Sequence, residues 1–169
     1  LFGIAYCVGS INLKPLKITK DEDFIDSFKV NTLGAINVIK QNQEGLAKNN
    51  GSILLFSTIA VKQGFTNHTI ISTAKGAIEG LTLSLAAEFA PKIRVNCIAP
   101  SLTDAKMTQK IISNDTIKKA IENMHPLPKI GTGEDFSDIG SFLLSDKNSW
   151  ITGQILHIDG GRSTLRIKS

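Results

Sequence analysis

Apolar residues along the chain fall into two patterns: short unbroken runs, and longer stretches with one apolar position every three or four residues. The two alternate most clearly in the middle of the sequence. Ile53 to Phe56 is an apolar run bounded by Gly51-Ser52 and Ser57-Thr58, which reads as a strand buried on both faces. From Thr73 onward Ile78, Leu81, Leu85 and Phe89 recur at helical spacing until Pro91 stops them, predicting a helix over 73–90. Ile93 to Ile98 is again short, apolar and partly β-branched, a second strand. Strand, helix and strand of these lengths suit a right-handed parallel crossover.

The flanking segments extend the same scheme. Leu1 to Val8 has a buried-strand pattern and runs into Gly9-Ser10. Thr19-x-x-Glu22 reads as a capping box, after which Phe24, Phe28, Leu33, Ile36 and Ile39 carry one or two helices to about Lys48. Ala99 to Asp104, interrupted by Pro100, reads as a loop. Ile111, Ile112, Ala120 and Ile121 predict a helix within 108–124, broken at His125-Pro126-Leu127-Pro128. A second capping box, Thr132-x-x-Asp135, opens a short helix with Phe136, Ile139 and Leu143 on one face. Gln154 to Ile158 is the last strand, closed by Asp159-Gly160-Gly161, and the basic tail 162–169 is expected to fray. The expected fold is α/β: part of a doubly wound parallel sheet, with four strands, in one domain over 1–169.

Composition narrows the partners. The net charge of +4 comes from scattered lysines such as Lys14, Lys17, Lys62, Lys92 and Lys110, not from a stripe, so a nucleic-acid surface is not expected. No apolar run approaches the roughly 20 residues that span a bilayer, and no signal peptide is recognisable. Cys7 and Cys97 each end an apolar run and lie in no CxxC pattern, which reads as reduced core thiols in a cytoplasmic protein. His125 and His157 have no carboxylate or cysteine at ligand spacing, so no metal site is expected.

Gly51-Ser52-Ile53, Ser57-Thr58, Ala74-Lys75-Gly76-Ala77, Arg94-Val95-Asn96-Cys97-Ile98-Ala99-Pro100 and Ile151-Thr152-Gly153-Gln154 to Asp159-Gly160-Gly161 occur in an order that resembles the short-chain dehydrogenase/reductase family. The resemblance covers nearly the whole chain, with Leu1 to Val8 similar to the family's fourth strand and Gln154 to Ile158 to its seventh. It implies a single partial NAD(P)-binding Rossmann-like domain over 1–169, with the family's first three strands and the glycine-rich turn that holds a dinucleotide pyrophosphate expected before Leu1.

The family's chemistry uses a tyrosine as acid/base, a lysine four residues later, a carbonyl-polarising serine and an asparagine in a proton relay. By resemblance Lys75 is the lysine, Asn31 the asparagine, and Thr58 the hydroxyl. The tyrosine position falls on Ile71, which cannot move a proton. Ser72 lies about 100° further round the helix. A histidine side chain ordinarily titrates near 6.5, which makes His68, three residues earlier, a candidate proton donor; the other reading is a structural loop histidine. Asn31 has a structural reading too, bending its helix through a side-chain to backbone hydrogen bond. The cofactor-facing positions implied are Gly9, Lys75, Pro100 and Thr103. Tyr6-Cys7-Val8-Gly9 stands where the family has Asn-Asn-Ala-Gly; Ser101 replaces a glycine after Pro100, and the carboxamide-facing threonine falls at Ala105.

The resemblance implies an NAD- or NADP-dependent oxidoreductase interconverting a small carbonyl compound and an alcohol. The alternative is a catalytically impaired homologue serving assembly or ligand binding. The chain alone, without the phosphate turn, is expected to bind NAD(P) weakly or not at all. Gly76, Gly80, Ser84 and Ala87 form a small-residue stripe on the central helix, so a homodimer or homotetramer is expected through that helix and the one bearing Asn31.

Overall fold

The computed structural model describes residues 1–167; the last two residues of the basic tail lie outside the described region. Strands β1 (Gly3–Tyr6), β2 (Ser52–Phe56), β3 (Arg94–Pro100) and β4 (Ile155–Ile158) form one parallel sheet in the order β1-β2-β3-β4. Gly3 lies opposite Ser52, Ile53 opposite Val95, and Cys97 opposite Ile155. Successive side chains of β2 point to opposite faces. Ile53 and Leu55 pack with helices α2 (Gly34–Lys48) and α3 (Thr69–Phe89), while Leu54 and Phe56 pack with α6 (Glu134–Leu144). Helices on both faces explain why the run at 53–56 carries no polar alternation. Full burial of Ile53 or Leu55 stabilises by about 1.5–3 kcal/mol each, so the core, not local propensity, holds the sheet.

Several expectations are corrected. β1 is shorter than Leu1 to Val8 and only half-buried, with Ile4 and Tyr6 against the core and Phe2, just before the strand, 75% exposed, because β1 is an edge strand with β2 as its one neighbour among the described residues. β3 runs through Ala99 and Pro100, which lie opposite His157 and Ile158. A proline is accommodated at that last position, where no further ladder donor is needed. α3 begins at Thr69, four residues earlier than the periodicity indicates, after Asn67 takes a positive φ of 64°. The first helix cap is one residue later than Thr19-x-x-Glu22: the Asp23 carboxylate accepts the Lys20 N–H at 3.0 Å, and Thr19 Oγ1 donates to Leu16 O. The helix within 108–124 is two, α4 (Gln109–Ile112) and α5 (Asp115–Glu122), because Asn114 caps the second by accepting the Ile117 N–H at 3.0 Å. The second box does form in part, with Asp135 accepting the Thr132 N–H at 2.8 Å.

Between α1 (Asp21–Phe28) and α2 the helix widens into a π segment, Lys29–Leu33. Two side chains hold it. Asn31 Nδ2 donates to Ser27 O at 2.9 Å, and the Tyr6 hydroxyl donates to Val30 O at 2.8 Å. That hydroxyl stands where a Cβ on residue 34 would be, which explains Gly34. Thr32 Oγ1 donates to Ala74 O at 2.9 Å and ties the segment to α3.

Candidate active site

The C-terminal ends of the parallel strands open onto a cleft of about 790 Å³. A crevice there is where a doubly wound sheet offers its loops to a ligand. All the site positions expected from the sequence line it: Asn31, Thr58, His68 and Lys75, with Gly9, Pro100 and Thr103. Ile71 lines it too, 5% exposed, one helical turn before Lys75 on α3.

Lys75 reaches across from α3 and donates from Nζ to Phe56 O at 2.8 Å. Burial pushes its pKa below the ordinary lysine value, with the Cys97 and Cys7 thiols acting in the opposite direction. An ammonium has three donors, so two remain beyond the Phe56 bond for a ligand. Asn31 is fully buried, and Asn31 Oδ1 accepts the Ser10 N–H at 3.2 Å while Nδ2 faces Ser27 and Ser10. A Cβ on Gly9 would come within 2.9 Å of Asn31 Oδ1 and 3.6 Å of Lys75 Nζ. Glycine at this position is therefore what lets the loop after β1 close over the asparagine and the lysine. The Asn31 bond to Ser27 also bears out its structural reading.

The two hydroxyls after β2 divide their work. Ser57 Oγ donates to Glu79 Oε1 at 2.6 Å, whereas Thr58 Oγ1 accepts the Ala60 N–H at 3.3 Å and keeps its own proton for the cleft. Ser72 does not reach the cleft lining; its Oγ donates to Ala60 O at 3.0 Å. His68 Nδ1 lies 2.7 Å from Thr66 O, which must accept, so the neutral ring carries its proton on Nδ1 and leaves Nε2 open. Its ring meets Phe65 edge-on, with centroids 5.3 Å apart. Thr103 Oγ1 donates to Ser101 O at 3.1 Å, which turns it toward its own loop.

Both cysteines are free, and only one of them lies in the core as expected. Cys97 is buried and its thiol is pushed up to about 12, first by burial. Cys7 is exposed, beyond the end of β1 at the cleft, because this strand is an edge. His125, at the break in the helical pattern, is 3% exposed, with Nδ1 2.8 Å from Ile121 O and Nε2 2.8 Å from Ser101 Oγ. Among the described residues, no group of three or more histidine, cysteine or acidic side chains comes together.

Phe65 and Arg162 line the cleft without having been singled out by the sequence, and Ser101, noted there only as replacing a glycine, lines it too. Arg162 was expected in the fraying tail. Instead Gly160 and Gly161, at φ of 62° and 84°, turn the chain after β4, and Asp159 accepts the N–H groups of Gly161 and Ser163 at 2.9 Å each. That turn returns Arg162 to the cleft. A glycine pair after a strand signals such a turn, but not where the next side chain points.

A family model described as enoyl-(acyl carrier protein) reductase matches residues 3–163. L-xylulose reductase of Bos taurus is 36% identical over 149 residues, covering 86% of this chain and 61% of the relative. Among solved structures, ElxO with NADP bound superposes with a TM-score of 0.89 at 30% identity, covering 97% of this chain and 68% of the other. A short-chain type dehydrogenase/reductase from Mycobacterium ulcerans gives a TM-score of 0.90 at 28% identity, covering 98% and 62%. The chain spans about half to three-fifths of the length of the curated relatives it matches. Among the described residues, no helix is long and apolar enough to cross a membrane.

Proposed function

The chain belongs to the short-chain dehydrogenase/reductase family of oxidoreductases, and from that premise we propose that it forms the substrate side and the nicotinamide-ribose side of an NAD(P)-dependent enzyme interconverting a carbonyl and an alcohol. The observation that carries this reading is the meeting of Asn31, Thr58 and Lys75 in one cleft. The residues fit the ribose end of the cofactor, since Lys75 has donors to spare and the loop at Gly9 leaves its Nζ uncovered by any side chain of residue 9. When bound, NAD(P) would supply or take up the hydride. Lys75 would donate to the ribose hydroxyls, with Gly9, Pro100 and Thr103 walling that end. Thr58 would donate its hydroxyl proton to the substrate oxygen and polarise the carbonyl.

Ile71 offers no proton. His68 would donate from Nε2 to the substrate oxygen in reduction only as the imidazolium, and as the neutral ring would take the proton back at Nε2 in oxidation; the other candidate is a water held between Lys75 and Asn31. The glycine-rich phosphate turn is not within residues 1–169, so the chain is read as a partial dinucleotide-binding domain that anchors the cofactor incompletely. The second reading, a catalytically impaired homologue, rests on the aliphatic side chain at Ile71. We also read the protein as a homodimer or homotetramer acting on a small molecule in the cytoplasm, with both cysteines free and no nucleic-acid or membrane partner.

Two measurements test this. Calorimetric titration of the isolated chain with NADH and NADPH should give a dissociation constant weaker than the low micromolar range; tight binding would show that the phosphate turn is dispensable. In the full-length protein, His68→Ala should lower turnover by roughly a hundredfold. Unchanged turnover would assign the proton to the water, and no nucleotide oxidation with any carbonyl substrate would favour the impaired homologue.

A further inference from the structure

Two cations line the cleft, Lys75 and Arg162, and among its described lining residues there is no aspartate or glutamate. Lys75 is committed to Phe56 O and to the ribose end under the reading above. Arg162 is not so committed. Its Nη1 donates to Ser101 Oγ at 3.4 Å and its Nη2 to Met124 Sδ at 3.4 Å, a long bond and a weak acceptor. The neighbouring acid, Asp159, spends its carboxylate on the Gly161 and Ser163 N–H groups and forms no ion pair with Arg162 among the described residues.

The guanidinium is nevertheless held in place. Its carbon sits 4.8 Å from the centroid of the Phe65 ring, which gives it a stacking surface. Arginine only donates, so Ser101 Oγ accepts from it and must send its own proton to His125 Nε2, 2.8 Å away. The His125 ring in turn donates from Nδ1 to Ile121 O at 2.8 Å. A half-buried chain of hydrogen bonds thus fixes the hydroxyl that steers the guanidinium. Much of the surrounding wall is apolar, including Ile59, Ile111 and Ile121. A charge set in such a wall, without an acid beside it in the lining, gains most from an anionic ligand. Burial lowers the Arg162 pKa, and the Asp159 carboxylate acts in the opposite direction without pairing with the guanidinium.

We propose that Arg162 is the anchor for a carboxylate on the substrate, so that the cleft takes an oxo acid or hydroxy acid in preference to a neutral carbonyl compound. This names the substrate class of the site read above and rests on that reading for the reaction, though not for binding. The planar fork of the guanidinium matches a carboxylate through two parallel bonds, and Phe65 holds the plane. Because Phe65 also carries the edge of His68, the anchor and the candidate proton donor share one ring.

The test uses levulinate and its methyl ester, which present the same ketone with and without the charge, titrated by NMR against the isolated chain, with inorganic phosphate as a third probe. Levulinate should bind roughly tenfold or more tightly than the ester. Arg162→Met should abolish the difference, Arg162→Lys should keep part of it, and raised salt should shrink it. Equal affinity for acid and ester, no binding of either, or a preference surviving Arg162→Met would overturn the proposal. Phosphate binding as tightly as levulinate would overturn the assignment to a carboxylate. Binding is read without turnover, so failure of the full-length protein to oxidise NADH or NADPH would sink the oxidoreductase reading and leave a measured levulinate preference standing.

Discussion

Replacing Ile71 with tyrosine tests the register of the site directly, without any cofactor. Positions 71 and 75 lie on α3 one turn apart, with Cβ atoms about 5–6 Å from each other, and both line the cleft. The added ring has the open cleft to enter, so overpacking is limited. A phenolate about 6 Å from the Lys75 ammonium gains about 3 kcal/mol at an effective dielectric of about 20, equivalent to about two pKa units. Burial of the phenol offsets part of this, so in the Ile71→Tyr protein the new group should titrate at roughly 9. The pair titrates as a unit, since the phenolate supports the ammonium that burial weakens. The native chain has a single tyrosine, Tyr6, whose pKa is raised above 10.0 by burial. Tyrosinate absorbance against pH should therefore show one high transition in the native protein and a second, lower one in the variant. A new transition at or above 10.0, the ordinary phenol value, would mean that Lys75 is not aimed at position 71 and would refute the assignment of the site.

Asn31→Leu should cost about 1–3 kcal/mol in urea unfolding, independent of any catalysis, because it leaves the buried Ser27 carbonyl without its side-chain donor; a change under about 0.5 kcal/mol would mean that water or the helix replaces it. Gly80→Leu should weaken self-association measured by sedimentation at micromolar concentration. A Cβ at Gly80 meets nothing within 4 Å in its own chain, so a larger side chain there obstructs only a partner. An 18.2 kDa monomer before and after the substitution would show that the stripe on α3 is not an interface.

The sheet and its helices were legible wherever burial imposes a period. Ile53 to Phe56 reads as a doubly covered strand because it is one, and Ile78 to Phe89 keeps its helical spacing because that face packs on β2 and β3. The start of α3 was hidden by Thr69-Ile70-Ile71, a β-branched cluster that local preference assigns to a strand; tertiary burial of Ile70 and Ile71 overrides it. Pro100 misled in the opposite direction, since a rule for strand interiors does not bind a strand's last residue. At the site, Lys75, Asn31, Thr58 and Gly9 were found through motif order, and the structure gathers them. Arg162 was invisible because its place depends on two glycines with positive φ and on a partner, Ser101, that is 61 residues away in sequence.

The π segment at Lys29–Leu33 bears on how such a chain tolerates changes of length. A π turn carries one residue more than the α turn it replaces, so it acts as a place where an insertion has been absorbed locally. Deleting one residue within α2 would rotate everything beyond it by about 100° and swing Ala35, Ile39 and Leu46 off their seats. Deleting one within 29–33 would instead let the helix close into a regular α turn, with the helices on either side still in phase. What disappears is the bulge that brings Val30 O to the Tyr6 hydroxyl and the Asn31 amide to the Ser10 loop. One residue of the chain is thus surplus to the architecture and is kept in the position that presents the asparagine to the cleft.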